Sequence, residues 1–169
     1  EMCIRDSIKA VADACRQHNV PIRIGVNSGS LEKDLLAKYG SPTPDALCES
    51  ALRHVALLEK FDFNDIVISI KSSDVSRMVA AYRKIATLCD YPLHLGVTEA
   101  GTERMALIKS AAGIGALLLD GIGDTIRVSM TADPVREVAA GFDILKAVDL
   151  KTDCPRIVSC PTCGRTKID

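Results

Sequence analysis

The chain has 169 residues, of which 47% are hydrophobic and 25% charged, with a formal net charge of −1. That composition excludes disordered and fibrous classes, and the length sets an expectation of one domain. No Lys/Arg stripe stands out and there are only three Phe, three Tyr and no Trp, which argues against nucleic acid as the main partner; no apolar run reaches the roughly 20 residues needed to cross a bilayer.

Taken in chain order, residues 1–7 fit no regular element and read as a non-native or disordered start. A helix-period stretch runs from about Ile8 to His18, with Val11, Ala14 and Cys15 at helical spacing. Ile22–Val26 is a strand, and the turn-prone Asn27-Ser28-Gly29-Ser30 follows it. Leu31–Tyr39 reads as a short helix closed by Gly40. Thr43 is an N-cap with Pro44 at the first helical position, opening a helix to about Lys60. A strand at Ile66–Ile70, a helix from Asp74 to Asp90 and a strand at Leu93–Val97 come next. Glu103–Leu119 is a helix broken by Gly121 and Gly123, and Thr125–Val128 is the fourth strand. Asp133 caps a last helix that starts on Pro134 and ends near Val148. Arg156–Ser159 is a final short strand running into Cys160.

Strands alternating with helices of ten or more residues form parallel βαβ units. A doubly wound sheet and a TIM barrel both fit that pattern. A complete barrel takes about 250 residues, and four β/α repeats amount to half of one. The expected fold class is therefore α/β, a partial TIM barrel over residues 8–150.

In each strand one side-chain parity is aliphatic: Ile22, Ile24, Val26; Ile66, Ile68, Ile70; Leu93, Leu95, Val97; Ile126, Val128. The other is small or polar: Arg23, Gly25, Asn27; Ser69, Lys71; His94, Gly96, Thr98; Arg127, Ser129. Alternate residues point to opposite faces of a sheet. The aliphatic face packs on the helices, and the polar face is expected to line the barrel interior. An antiparallel sheet with one wetted face alternates in the same way, but the long intervening helices weigh against it.

Branched apolar side chains normally fill a barrel interior. Here Arg23, Lys71 and Arg127 bring three cations into one cavity, and burying them without an anion is costly. Arg offers a bidentate fork for phosphate and Lys a compact charge, so phosphate or diphosphate is the expected ligand. Asn27, Lys71, Thr98 with Glu99, and Ser129 end or follow strands, where the active sites of this fold are found. Glu99 has the opposite parity to His94 and Thr98. It fits a proton donor or acceptor turning inward from its loop, and equally a helix-capping or ion-pairing carboxylate.

There are seven cysteines, an odd number: Cys3, Cys15, Cys48, Cys89, Cys154, Cys160 and Cys163. Several lie in helix-like apolar stretches, a pattern that suits a reducing compartment better than a disulfide framework. The expected location is the bacterial cytoplasm; a plastid stays open because the true N-terminus is expected to be missing. Cys160-Pro161-Thr162-Cys163 is a C-x-x-C whose thiolates can share a metal centre or form a redox pair. It is half a site, since zinc ribbons need a second pair and iron–sulfur clusters need further ligands.

Four segments resemble one family. Pro21-Ile22-Arg23-Ile24-Gly25-Val26-Asn27-Ser28-Gly29-Ser30-Leu31-Glu32-Lys33-Asp34-Leu35 is similar to the IspG (GcpE) family of hydroxymethylbutenyl diphosphate synthases. So are His94-Leu95-Gly96-Val97-Thr98-Glu99-Ala100-Gly101, Gly121-Ile122-Gly123-Asp124-Thr125-Ile126-Arg127-Val128-Ser129 and Cys160-Pro161-Thr162-Cys163. The match covers nearly everything from about Ile8 onward, in order. The resemblance implies the C-terminal half of a (β/α)8 TIM barrel, with residues 151–169 as linker and start of an iron–sulfur domain. It implies reductive ring opening and dehydroxylation of 2-C-methyl-D-erythritol 2,4-cyclodiphosphate to 4-hydroxy-3-methylbut-2-enyl diphosphate, on the non-mevalonate isoprenoid pathway. Ferredoxin or flavodoxin would donate the electrons to a 4Fe-4S cluster held by three Cys and one Glu. Cys160 and Cys163 match the first two cluster ligands. Arg23, Asn27, Lys71, Arg127 and Ser129 match positions that hold the substrate's diphosphate, and Glu99 matches the catalytic carboxylate. Family members are homodimers in which one subunit's cluster domain caps the other's barrel. The first four strands and most of the cluster domain are absent from this chain, so by itself it is expected to be inactive.

Two other readings compete. One is a non-redox phosphate-binding barrel, a lyase or transferase, with the C-x-x-C as a structural zinc knuckle. The other is a non-catalytic fragment that packs on a partner through its open strand edges.

Overall fold

In a computed structural model of the chain, residues 2–153 and Pro155 are described, with side chains from Asp6 onward. Arg156–Ser159, Cys160 and Cys163 lie outside the described residues.

Helix α1 spans Met2–His18 and opens six residues before Ile8. Ile4 and Ile8 are one turn apart in the sequence, so the helical spacing continues upstream of where the pattern was expected to end. Its inward stripe is Ile8, Ala12 and Cys15, while Val11 is 53% exposed and Ala14 faces solvent. The expected stripe was therefore rotated by one position.

Strand β1 (Ile22–Asn27) leads through a 3-10 turn at Ser28–Ser30 into α2 (Lys33–Tyr39). Gly40 ends α2 at φ 73°, a left-handed C-cap that glycine adopts at little cost, and its N–H reaches the Leu36 carbonyl at 2.8 Å. Helix α3 (Pro44–Glu59) starts as expected, with the Thr43 hydroxyl accepting the Ala46 N–H at 3.2 Å. Strand β2 (Ile66–Lys71) precedes α4 (Val75–Ile85), which Asp74 caps by accepting the Arg77 N–H at 3.0 Å. Helix α4 stops at Ile85, short of Asp90, because the Ile85 carbonyl takes the N–H groups of both Leu88 and Cys89 and tightens the chain into a turn. Strand β3 (His94–Leu95), α5 (Glu103–Leu119), β4 (Thr125–Ile126) and α6 (Pro134–Ala147) complete the order.

All strand pairings among the described residues are parallel. β1 runs beside β2 through six registered pairs, Ile22↔Ile66 to Asn27↔Lys71. A bridge between Ile68 and Leu93 brings in β3, and β3 pairs with β4 through His94↔Thr125 and Leu95↔Ile126. The spatial order β1-β2-β3-β4 follows the sequence, as in a barrel wall. The antiparallel alternative is excluded.

β3 and β4 are shorter than the hydrophobic runs suggested. Tyr82, fully buried on α4, explains where the β2–β3 ladder stops. The Ile70 N–H donates to the Tyr82 hydroxyl at 2.8 Å, and that hydroxyl donates to the His94 carbonyl at 2.5 Å. A side chain thus stands where a direct bond between the strands would be.

The aliphatic parity is the core. Ile24, Val26, Ile66, Ile68, Ile70, Leu93, Leu95, Val97 and Val128 are buried, with Leu47, Met78, Ala81, Ile114 and Leu117 of the helices. Each large aliphatic side chain removed from water contributes about 1.5–3 kcal/mol before entropy is counted. Gly113 lets α5 approach: a β-carbon there would meet Met78 Cε at 2.7 Å and Val97 Cγ2 at 3.2 Å. β1 and β4 each pair on one side only among the described residues. Beside β4 a hollow of about 290 Å³ is lined by Ile126, Val128, Val138 and Phe142. A closed barrel leaves no such edges.

Candidate functional site

The parallel register sorts the other face of the sheet into rows. Partners across parallel strands point to the same side, so Arg23 and Val67 form one row and Gly25 and Ser69 the next. Continuing through Ile68↔Leu93 and His94↔Thr125, that second row becomes Gly25, Ser69, His94 and Thr125. The third row, by the same count, is Asn27, Lys71, Gly96 and Arg127. Val67, half-buried on this face, is an apolar member that the small-or-polar pattern left out.

The row of Gly25, Ser69, His94 and Thr125 holds no charged residue, and two of its four side chains are absent or minimal. Lys71, from the row after it, reaches over its Gly25 end. Lys71 Nζ lies 3.9 Å from the point a Gly25 β-carbon would occupy. Arg127 donates from Nη2 to the Ser129 hydroxyl at 3.2 Å. Gly96 allows β3 to pass close to β4, since a β-carbon there would stand 3.1 Å from the Arg127 carbonyl.

His94 lies within this arrangement, half-buried, with Nδ1 2.7 Å from the Thr125 hydroxyl. Its pKa is lowered from the ordinary histidine value, first by burial and then by the charges of Arg23, Lys71 and Arg127. The three cations that act on this imidazole come from β1 (Arg23), β2 (Lys71) and the residue just after β4 (Arg127). Among the described residues Arg23, Lys71 and Arg127 have no ion-pair partner. Elsewhere cations are neutralised: Arg53 spans Asp34 at 2.5 Å and Glu49 at 2.8 Å, and Arg83 meets Asp120 at 2.8 Å.

The other expected site residues are placed as follows. The Asn27 side-chain oxygen accepts the Gly29 N–H at 3.1 Å and so holds the turn after β1. Glu99 is exposed with φ at 53°, a left-handed conformation uncommon outside glycine, asparagine and aspartate. A cavity of about 390 Å³ at the strand C-termini is lined by Glu99, Ala100, Gly101, Ser129, Met130 and Thr131. Glu99 and Ser129 thus share one hollow despite the unfavourable parity of Glu99, because the left-handed turn ends the strand's alternation. Sequence reasoning missed the central place of His94 and the part of Tyr82. The one signal for the former was its membership of the polar parity.

No group of three or more His, Cys, Asp or Glu among the described residues is arranged to hold a metal ion. Cys15, Cys48 and Cys89 are free thiols. Burial pushes the Cys48 thiol up to about 11, and it bonds the Ala81 carbonyl at 3.3 Å, so it behaves as a core residue. His54 Nε2 is 3.4 Å from a Glu32 carboxylate oxygen. No helix among the described residues is long and apolar enough to cross a membrane.

A parallel β/α wall, apolar toward its helices and carrying Arg23, Lys71 and Arg127 on its other face, is part of a TIM barrel. The chain belongs to the GcpE TIM-barrel domain family, whose model matches residues 1–142. It is 62% identical over 164 residues to the 4-hydroxy-3-methylbut-2-en-1-yl diphosphate synthase (flavodoxin) of Fusobacterium nucleatum, covering 97% of this chain and 46% of that protein. It is 61% identical over 165 residues to the protein of the same name from Clostridium perfringens, covering 98% and 47% respectively. The chain spans about half the length of the curated relatives it matches.

Proposed function

We propose that this chain forms the substrate-gripping half-barrel of an oxidoreductase that converts 2-C-methyl-D-erythritol 2,4-cyclodiphosphate to 4-hydroxy-3-methylbut-2-enyl diphosphate. The observation that carries the reading is the convergence of Arg23, Lys71 and Arg127 on His94 with no carboxylate among them. Like charges held together without a counter-ion repel, and a diphosphate supplies the missing negative charge. Arg23 and Arg127 fork phosphate oxygens, Lys71 adds a point charge over Gly25, and Asn27 and Ser129 donate hydrogen bonds.

Glu99, at the strand ends beside Ser129, holds the proton that accompanies loss of the substrate hydroxyl. Cys160 and Cys163 supply two thiolates to a 4Fe-4S cluster, with a third Cys and a Glu supplied by residues beyond this chain. When bound, that cluster supplies the electrons of the reduction. Flavodoxin, which the relatives' names carry, or ferredoxin is the donor. The working form is a homodimer in the bacterial cytoplasm, and the half-barrel by itself is inactive.

The test uses a protein restored to the length of the relatives, carrying Glu99→Gln. Binding of the cyclodiphosphate should persist within a few-fold while turnover falls by about 10²–10⁴. Unchanged turnover removes Glu99 from the mechanism. Zinc in place of iron and sulfide in the purified protein would count against the cluster.

A further inference from the structure

We propose that His94 is a proton-accepting ligand of the anion site: neutral while the hollow is empty, it takes a proton from solvent when a diphosphate settles among Arg23, Lys71 and Arg127. This inference rests on the diphosphate reading given above. The argument begins with the rows. His94 is flanked along its own row by Ser69, with Gly25 beyond it, and by Thr125. Arg23 stands in the row before it, Lys71 and Arg127 in the row after. Thr125 engages Nδ1 at 2.7 Å, and among the described residues Nε2 has no hydrogen-bond partner.

The groups facing this imidazole are Arg23 from β1, Lys71 from β2, Arg127 and the Thr125 hydroxyl from the β4 segment, and, through the backbone of His94 itself, the Tyr82 phenol of α4. No carboxylate is among the charges that act on it. The three cations and burial all disfavour a fourth positive charge, which keeps the ring neutral. A diphosphate reverses the larger part of that field by placing two or more negative charges against the same cations. The imidazolium then gains a charge-assisted contact of the kind worth about twice a neutral hydrogen bond. Proton and anion therefore bind with positive coupling, and each must strengthen the other equally.

The sign follows from linkage. With proton affinity higher in the occupied site, affinity for the diphosphate rises as pH falls from the occupied-site pKa to the empty-site pKa. Below the empty-site value His94 is charged in both states and the dependence ends. A one-unit difference between the two corresponds to about tenfold in affinity.

The experiment titrates inorganic pyrophosphate into a protein restored to the relatives' length, native and His94→Gln, by calorimetry at pH 8 and pH 6 in two buffers of different ionisation enthalpy. Pyrophosphate titrates in this range itself, so the reading is native minus variant. The expected result is extra proton uptake in the native protein and a native-to-variant affinity ratio that grows by about threefold to tenfold on acidification. A nuclear magnetic resonance titration of the native imidazoles requires no variant: the His94 pKa should rise on adding pyrophosphate. Binding of equal strength and equal proton uptake in both proteins, with an unmoved His94 resonance, overturns the role of His94 and leaves the diphosphate reading standing. Absence of pyrophosphate binding in the native protein overturns both.

Discussion

The two faces of this sheet carry the same backbone and opposite physics. Toward the helices, Ile66, Ile68, Ile70, Leu95 and Val97 are at most 1% exposed and their energy comes from leaving water. Toward the hollow, Arg23 and Arg127 are exposed, Lys71 is half-buried, and none has an ion-pair partner among the described residues. One face is satisfied by the protein itself. The other carries three cations without a counter-charge among the described residues, as the proposed diphosphate site requires.

That contrast can be broken most severely from the helix side. Ile68→Ala, at a position with 0% exposure, should cost about 2–5 kcal/mol of stability in a urea titration, because the cavity left between β2 and the helices cannot fully collapse. Hollow-side substitutions should do the reverse. Lys71→Gln or Arg127→Gln should each weaken pyrophosphate binding by about 1.5–3 kcal/mol, the range of a hydrogen bond to a charged group. Stability should stay within about 0.5 kcal/mol of native. Loss of stability with retained binding would mean that these cations brace the fold instead of serving a ligand.

Tyr82 belongs to both faces and sharpens the comparison. Tyr82→Phe strands the Ile70 N–H and the His94 carbonyl, and should cost about 1–3 kcal/mol by the same denaturation measurement. Burial pushes its phenol up to about 12 from an ordinary 10.0. A group whose folded pKa is raised contributes stability fully below its unfolded value and loses it as pH rises through the folded one. The native protein should therefore lose stability between about pH 10 and 12 more steeply than Tyr82→Phe.

The smallest effect is expected at Glu49, which joins α2 to α3. Hydrogen bonds from Lys38 and then Tyr39 lower its pKa to about 2 from 4.5. Its contribution is present above the ordinary value and fades as pH falls through the lower one. Glu49→Gln should flatten the acid side of a thermal-stability profile and leave the neutral region almost unchanged.

Much of the fold was legible because the signals are local. Thr43 and Asp133 cap the helices their positions announced, and Gly40 ends α2 in the conformation glycine favours. The start of α1 and the end of α4 were misjudged, the first because a helical spacing continued past an unfamiliar opening, the second because one carbonyl took two donors. The C-x-x-C at Cys160 and Cys163 was legible as chemistry but falls outside the described residues.

The strand alternation is a property of a single extended chain, since successive side chains must point opposite ways. From it alone came the apolar face, the polar face and the three cations. Which residue stands beside which across strands depends on register, and register is set by packing between segments dozens of residues apart. Only the folded structure could therefore place His94 among Arg23, Lys71 and Arg127, or bring the hydroxyl of Tyr82 between two strands of the wall.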